Sequence, residues 1–165
     1  MSPAAPAVAV RPARPEDAAT IVALVRELAV FEREPLSSVK LSEADILRDG
    51  FGATPRFELL VASLDGRVEG FALFFPNYST WEGRAGIHVE DLYVREAARG
   101  HGLGRHLMAE IARLAVARGW PRIDLSVLHW NPARRFYERL AMDELTEWRI
   151  YRMNAAAIAR LATTG

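Results

Sequence analysis

Alternating glycines in Arg99-Gly100-His101-Gly102-Leu103-Gly104 separate a β-rich stretch from an amphipathic one, in which Leu103, Leu107, Ile111 and Leu114 recur at helical spacing. A strand that turns into a helix through residues without side-chain bulk constrains the fold more than any other feature of this chain. Glycine permits left-handed backbone, so N–H groups can converge at the helix N-terminus, where the dipole also favours negative charge. The turn therefore predicts an anionic ligand of the pyrophosphate class. Residues 95–122 carry six Arg against Glu96 and Glu110, a local positive excess in a chain whose formal net charge is zero. The plainer reading is a flexible loop ahead of a solvated basic helix face. The G-x-G-x-G spacing is not the G-x-G-x-x-G of a dinucleotide fold, although Asp124 lies about twenty residues on, and it lacks the G-K-[ST] ending of a P-loop.

The remaining periodicities place this turn in a mixed fold. Residues 8–10 predict a short strand. Arg14-Pro15-Glu16-Asp17 opens a helix carrying Ile21, Leu24, Val25 and Leu28 on one face and ending before Pro35. Ser42 predicts an N-cap for a helix over 43–49, stopped by Gly50. Residues 57–63 and 67–75 are β-rich and joined across Asp65-Gly66, a two-residue hairpin signal, with Pro76-Asn77 ending the second. Residues 85–94 and 123–128 read as strands, 132–139 as a short helix, and 148–153 as a last strand before an Ala-rich tail. A hairpin-rich first half and a strand-helix-strand second half imply an α+β (α/β mixed sheet) class.

With 165 residues, 50% of them apolar, the chain has material for one core, so the expectation is a lead-in over 1–7 and a single domain over 8–165. The opening fails as a signal peptide, and no apolar run reaches the roughly 20 residues of a membrane helix, so a cytoplasmic protein without membrane partners is expected. Charge balance disfavours nucleic acid. Without Cys there is neither a disulfide nor a thiol nucleophile, and the four His show no metal-ligand grouping.

The strand over 85–94 is the first place to look for chemistry. Glu90 and Asp91 stand in its middle, where carboxylates cost desolvation energy unless they are satisfied or line a cavity. Strict alternation puts Ile87, Val89, Asp91 and Tyr93 on one side and His88, Glu90, Leu92 and Val94 on the other. His88 on the face of Glu90 suggests help with proton transfer, though a lone strand His more often satisfies a local hydrogen bond. Glu32, Glu34, Glu82, Glu90, Asp91 and Glu147 together suit a polycation, with Trp81 offering a ring face. For Glu34 and Glu82, solvation or pairing with arginines is the simpler expectation.

Residues 94–105, V-R-E-A-A-R-G-H-G-L-G-R, resemble the R/Q-x-x-G-x-G/A coenzyme A signature of the GNAT superfamily of N-acetyltransferases. R-E-L-A-V-F-E (26–32), D-G-F-G (49–52), G-F-A-L-F-F (70–75), V-E-D-L-Y-V (89–94), H-W-N-P (129–132) and R-F-Y-E-R (135–139) are similar to the spermidine/spermine (diamine) N-acetyltransferase branch. The resemblance covers residues 8 to 153 and implies a GNAT-like acyl-CoA N-acyltransferase fold, a mostly antiparallel sheet flanked by helices and splayed open beside Glu90. It implies acetyl-CoA as co-substrate, its pantetheine arm held by Leu92, Tyr93 and Val94. Arg99, Gly100, His101, Gly102, Leu103, Gly104 and Arg105 would then hold the pyrophosphate, with Asn131 and Arg134 touching the cofactor. Tyr137 becomes the general acid and Glu90 the group that helps deprotonate the amine. Phe31, Glu32, Trp81, Glu90, Asp91 and Glu147 fall to the acceptor, and homodimers are usual. One departure stands out: after F-Y-x-R the family places Gly, whereas this chain has Leu140-Ala141-Met142, so that helix cap must be built differently or be strained.

The expected function is transfer of an acetyl group from acetyl-CoA to a primary amine of a small diamine, polyamine or lysine/thialysine-like acceptor, by direct attack in a ternary complex. A coenzyme A-binding sensor without turnover and a protein acetyltransferase are the alternatives.

Overall fold

The structure is a computed structural model that describes residues 6–163 as two compact units, residues 6–128 and 129–163. Most of the expected lead-in, residues 1–5, and the last two residues lie outside the described residues. The first unit contains β1 (Val8–Pro12), α1 (Ala18–Phe31), α2 (Glu43–Phe51), β2 (Glu58–Leu64), β3 (Arg67–Ser79), β4 (Arg84–Val94), α3 (Leu103–Arg118) and β5 (Ile123–Leu125). The strands form one sheet in the order β1-β2-β3-β4-β5, antiparallel through β4, with β5 parallel to β4. The expected mixed class is the one observed.

Local chemistry explains most boundaries. Asp65 (φ 49°) and Gly66 (φ 82°) are both left-handed, as a tight β2–β3 hairpin requires. The Asp17 carboxylate accepts from the Arg14 N–H at 2.7 Å and takes both Arg11 guanidinium nitrogens at 2.7 and 2.9 Å, fastening the entry to α1 onto β1. Ser42 caps α2 as predicted: its Oγ accepts from Asp45 N–H at 3.2 Å and Asp45 accepts from Ser42 N–H at 3.0 Å. Gly50, however, does not stop α2, which continues to Phe51. A Cβ at Gly50 would stand 2.8 Å from the Phe57 ring, so this glycine lets an aromatic side chain lie against the helix.

Each face of the sheet has its own helices. Ile21 and Leu24 of α1 and Ile46 of α2 are buried with Leu59, Val61, Phe71 and Leu73, and Phe75 and Tyr93 pack against that cluster. On the alternate residues, α3 buries Leu103, Leu107, Met108 and Ile111. Each large side chain so buried contributes roughly 1.5–3 kcal/mol.

β4 departs from strict alternation. Leu73 pairs with Asp91 but the next residue, Phe74, pairs with Val89, so Glu90 is an extra residue in a β-bulge. Partners across a ladder share a face, and beyond the bulge the parity reverses. Asp91 and Tyr93, opposite Leu73 and Phe71, therefore share the face of His88, which pairs with Phe75; they do not share that of Ile87 and Val89 as alternation predicts.

Three strand boundaries also need correction. β3 runs through Pro76 to Ser79, because β2 pairing has ended at Phe74 and the missing Pro76 donor has no neighbour to serve on that side. β5 stops at Leu125, where pairing with β4 stops. In the second unit, α4 (Arg134–Glu138) matches the predicted short helix, but residues 148–153 form no strand. Among the described residues of that unit there is no other strand to pair with, so β propensity alone cannot build one. The Ala-rich tail is a helix, α5 (Ala155–Ala162), capped by the Asn154 side chain, which accepts from Ala157 N–H at 2.9 Å.

Candidate active site

The ladder between β4 and β5 ends at Val89–Leu125, while β4 stays paired with β3 as far as Gly70–Val94. From Glu90 to Val94 the other edge of β4 is thus without a strand partner among the described residues. Five residues of open ladder span roughly 17 Å, and an extended molecule with amide groups can complete it as a strand would. A short 3₁₀ turn, Glu96–Ala98, leads from this edge into the glycine turn at the head of α3.

Gly100 and Gly102 both have φ 84°, which an L side chain adopts only with strain. A Cβ at Gly100 would meet nothing within 4 Å, so the space before the turn is open and it is the backbone conformation that demands glycine. At Gly102, the N-cap of α3, a Cβ would also touch the His106 ring at 3.4 Å. The first N–H groups of α3, at 103–105, lack intrahelical acceptors and carry the positive end of the helix dipole. This donor set fits a diphosphate group. Leu103 is fully buried and anchors the turn, leaving only its backbone for a ligand. The Arg99 side chain turns back: its Nε donates to Val94 O at 3.0 Å and its guanidinium lies 4.8 Å from the Phe31 ring centroid and 5.8 Å from that of Tyr93. It ties the end of α1 to the end of β4. His101 is exposed, with Nδ1 3.3 Å from Ala98 O, and Arg105 is exposed on the first turn of α3.

Three of the sequence-predicted acids gather in this unit. The Glu90 side chain is 54% exposed, because the bulge directs it out of the sheet. Asp91 is the desolvated one: burial, then the charges of Glu90 and Glu32, push its carboxyl up to about 6. Burial and the neighbouring Glu34 likewise raise Glu32 at the end of α1. A cation placed here would relieve the repulsion. Trp81 is 90% exposed at the tip of the β3–β4 hairpin, several strand residues, on the order of 20 Å, from Glu90. The structure does not bring it to the acids.

A polar network absent from the sequence reading stands beside Glu90. His88 Nδ1 lies 2.6 Å from Asp124 Oδ1, and its Nε2 lies 3.7 Å from Glu90 Oε2. Asn77 Nδ2 donates to Asp124 Oδ2 at 2.9 Å, and Arg122 Nε stands 3.0 Å from the same oxygen, misaligned for a hydrogen bond. Gly86 makes room for this group: a Cβ there would sit 2.8 Å from Arg122 O and 2.9 Å from Asn77 Oδ1. The available signal was one polar residue between aliphatics in each of two strands, Ile87-His88-Val89 and Ile123-Asp124-Leu125.

The other predicted residues belong to the second unit. Asn131 is buried, and its Oδ1 accepts from Ala133 N–H at 2.9 Å, shaping the entry to α4. Arg134 donates to His129 O at 3.0 Å and pairs with Glu144 at 2.6 Å. Tyr137 is half-buried on α4, edge-on to Phe136 with ring centroids 5.2 Å apart. Glu147 is exposed.

Residues 22–142 match the Acetyltransferase (GNAT) family. A thialysine N-epsilon-acetyltransferase from Bos taurus is 38% identical across 94% of this chain and 97% of its own length. An L-ornithine N5-acetyltransferase from Arabidopsis thaliana is 38% identical over 55% of this chain and 40% of its own. An integron cassette protein from the mobile metagenome of V. cholerae superposes with a TM-score of 0.77 at 23% identity, covering 95% of this chain and 98% of that one, and shares the fold. The chain belongs to the GNAT family, enzymes that use acetyl-CoA as acetyl donor. No helix among the described residues is long and apolar enough to cross a membrane, and no metal-binding group of three His, Asp or Glu gathers among them.

Proposed function

We propose that this protein, through one acyltransferase domain over residues 8–165, moves the acetyl group of acetyl-CoA onto a primary amine of a small cationic acceptor: a diamine, a polyamine or a lysine-like amino acid. The observation that carries the reading is the open edge of β4 from Glu90 to Val94, running into the glycine turn of α3. The grouping of Glu32, Glu90 and Asp91 supports a cationic acceptor, and so do relatives whose names specify thialysine and ornithine.

Backbone groups of Leu92 to Val94 hold the arm of the donor, and the head of α3 holds its diphosphate. A primary ammonium has a pKa near 10.4, so only about one molecule in a few thousand is nucleophilic at neutral pH, and Glu90 collects its proton. The free amine attacks the thioester carbonyl directly. As the tetrahedral adduct collapses, the leaving thiolate takes a proton from Tyr137, a phenol with ordinary pKa about 10 matched to a thiol of about 8.5, and the tyrosinate recovers it from the proton that the adduct nitrogen sheds as the amide forms. A donor whose phosphate charges keep it from crossing a bilayer suits a cytoplasmic enzyme, and the resemblance supports a homodimer.

Purified protein incubated with acetyl-CoA and a panel of putrescine, spermidine, spermine, lysine and thialysine should release thiol with at least one of them. Binding of acetyl-CoA with no release across the panel indicates a sensor instead. Tyr137→Phe should lower kcat by one to two orders of magnitude and leave acetyl-CoA affinity within about twofold; an unchanged rate removes Tyr137 from the mechanism.

A further inference from the structure

The network on β4 and β5 has a direction. Asp124 is an acceptor only, so the 2.6 Å contact with His88 places the neutral ring's hydrogen on Nδ1. That leaves the lone pair on Nε2, the nitrogen 3.7 Å from Glu90 Oε2. Asp124 is itself held by Asn77 Nδ2 and flanked by Arg122, and the Phe75 ring stacks obliquely on the imidazole with centroids 5.2 Å apart. The ring is fixed in place, in one tautomer, with its basic nitrogen toward the carboxylate.

We propose that His88, positioned by Asp124, relays to solvent the proton that Glu90 takes from the acceptor amine. The inference rests on the amine-acetylation reading above. The ammonium N–H bond breaks and the proton goes to a Glu90 oxygen. It then passes across the 3.7 Å gap, through one bridging water or a small rotation of the glutamate, to His88 Nε2. The imidazolium keeps Nδ1–H on Asp124 and loses the Nε2 proton to water, so the ring, Glu90 and Asp124 end unchanged. An imidazole is a stronger base than a carboxylate, so the ring is the better resting place for a proton taken from an ammonium. Glu90 alone makes first contact with the amine; His88 gives the proton somewhere to go. His88 thus acts through Glu90, as a positioning and relay residue.

The test is a pH–rate comparison of the full chain with His88→Gln and Asp124→Asn, using the best acceptor of the amine panel. Charged groups around His88 are Glu90 and, on the same sheet face, Asp91 of its own strand, and Asp124 with Arg122 on the β5 side, while β3 presents the uncharged Phe75 and Asn77. We expect both variants to keep acetyl-CoA affinity within about twofold and to lose about tenfold or more in kcat at pH 7. The deficit closes toward pH 9.5, where more of the amine arrives already deprotonated, and added imidazole restores part of the His88→Gln rate at pH 7. A purely structural role predicts a deficit constant in pH and indifferent to imidazole. That outcome, or undiminished rates at pH 7, overturns the relay. If His88→Gln does not fold, the Asp124→Asn profile decides alone. Wild-type protein that releases no thiol with any amine removes the amine reading and the relay together, whereas active wild type with a flat deficit removes the relay only.

Discussion

Glu90 and Asp91 are neighbours in sequence, yet the bulge gives them different surroundings: Glu90 reaches water, and Asp91 is desolvated between two other acids. The raised Asp91 value has a definite consequence for stability. In the fold the carboxyl binds its proton more tightly than in the unfolded chain, where it titrates near 3.8, so its contribution is fully present below that pH. It is lost as pH rises through about 6. At pH 7.5 the ionised group costs on the order of 1–3 kcal/mol. Asp91→Asn should therefore raise Tm by a few degrees at pH 7.5 in a thermal melt, with a gain that shrinks as pH falls toward 4. If Asp91 receives the cationic acceptor, the same variant raises the amine KM severalfold. A gain in Tm that is independent of pH would assign the effect to packing. Neither the bulge nor the desolvation is legible in the residue string; the string shows only two acids where a strand would rather have none.

Three helix ends use the same backbone solution with different residues. Beyond α3, Trp120 N–H reaches Ala115 O and Gly119 N–H reaches Val116 O, with Gly119 left-handed at φ 66°. Beyond α1, Glu34 N–H reaches Ala29 O and Arg33 N–H reaches Val30 O, with Arg33 at φ 64°. Beyond α4, Met142 N–H reaches Tyr137 O and Ala141 N–H reaches Glu138 O, with Ala141 at φ 60°. The motif is complete in each case, so the missing glycine after α4 did not change the cap; it placed strain in it. Ala141→Gly should stabilise the protein by about 1 kcal/mol, read as a rise in denaturation midpoint at unchanged slope. No change would mean that the αL penalty is already offset by local contacts. Ser42 with Asp45 and the Asp65-Gly66 turn were legible because their chemistry is complete within four residues. The length of α2 was not, because Gly50 answers to Phe57, seven residues away.

At the scale of the whole molecule, a net charge of zero gives two copies of the chain no overall repulsion to overcome. In the second unit Leu145, Trp148, Ile150, Tyr151 and Met153 are all exposed, Tyr151 to 92%. Scattered exposed aliphatics are ordinary, but on the homodimer proposed above this run is a candidate for the surface that a second copy of the chain would cover. Sedimentation equilibrium should return about twice the 18.4 kDa chain mass, and Tyr151→Glu should shift it toward the monomer. A monomeric wild type removes the homodimer.

The hairpin and the helix caps were determined by the sequence alone, since each satisfies its own backbone groups with residues that are near neighbours, and so was the glycine turn, whose left-handed backbone is set by its own residues. The GNAT fold was legible through a resemblance carried jointly by the glycine turn and by short segments spread over residues 26–139. The pairing of His88 with Asp124, thirty-six residues apart, came only from the tertiary structure. So did the Glu90 bulge and the absence of a strand over 148–153. Strand pairing is non-local, and what a side chain on β4 meets depends on which strand lies beside it and in what register, which no window of the sequence contains.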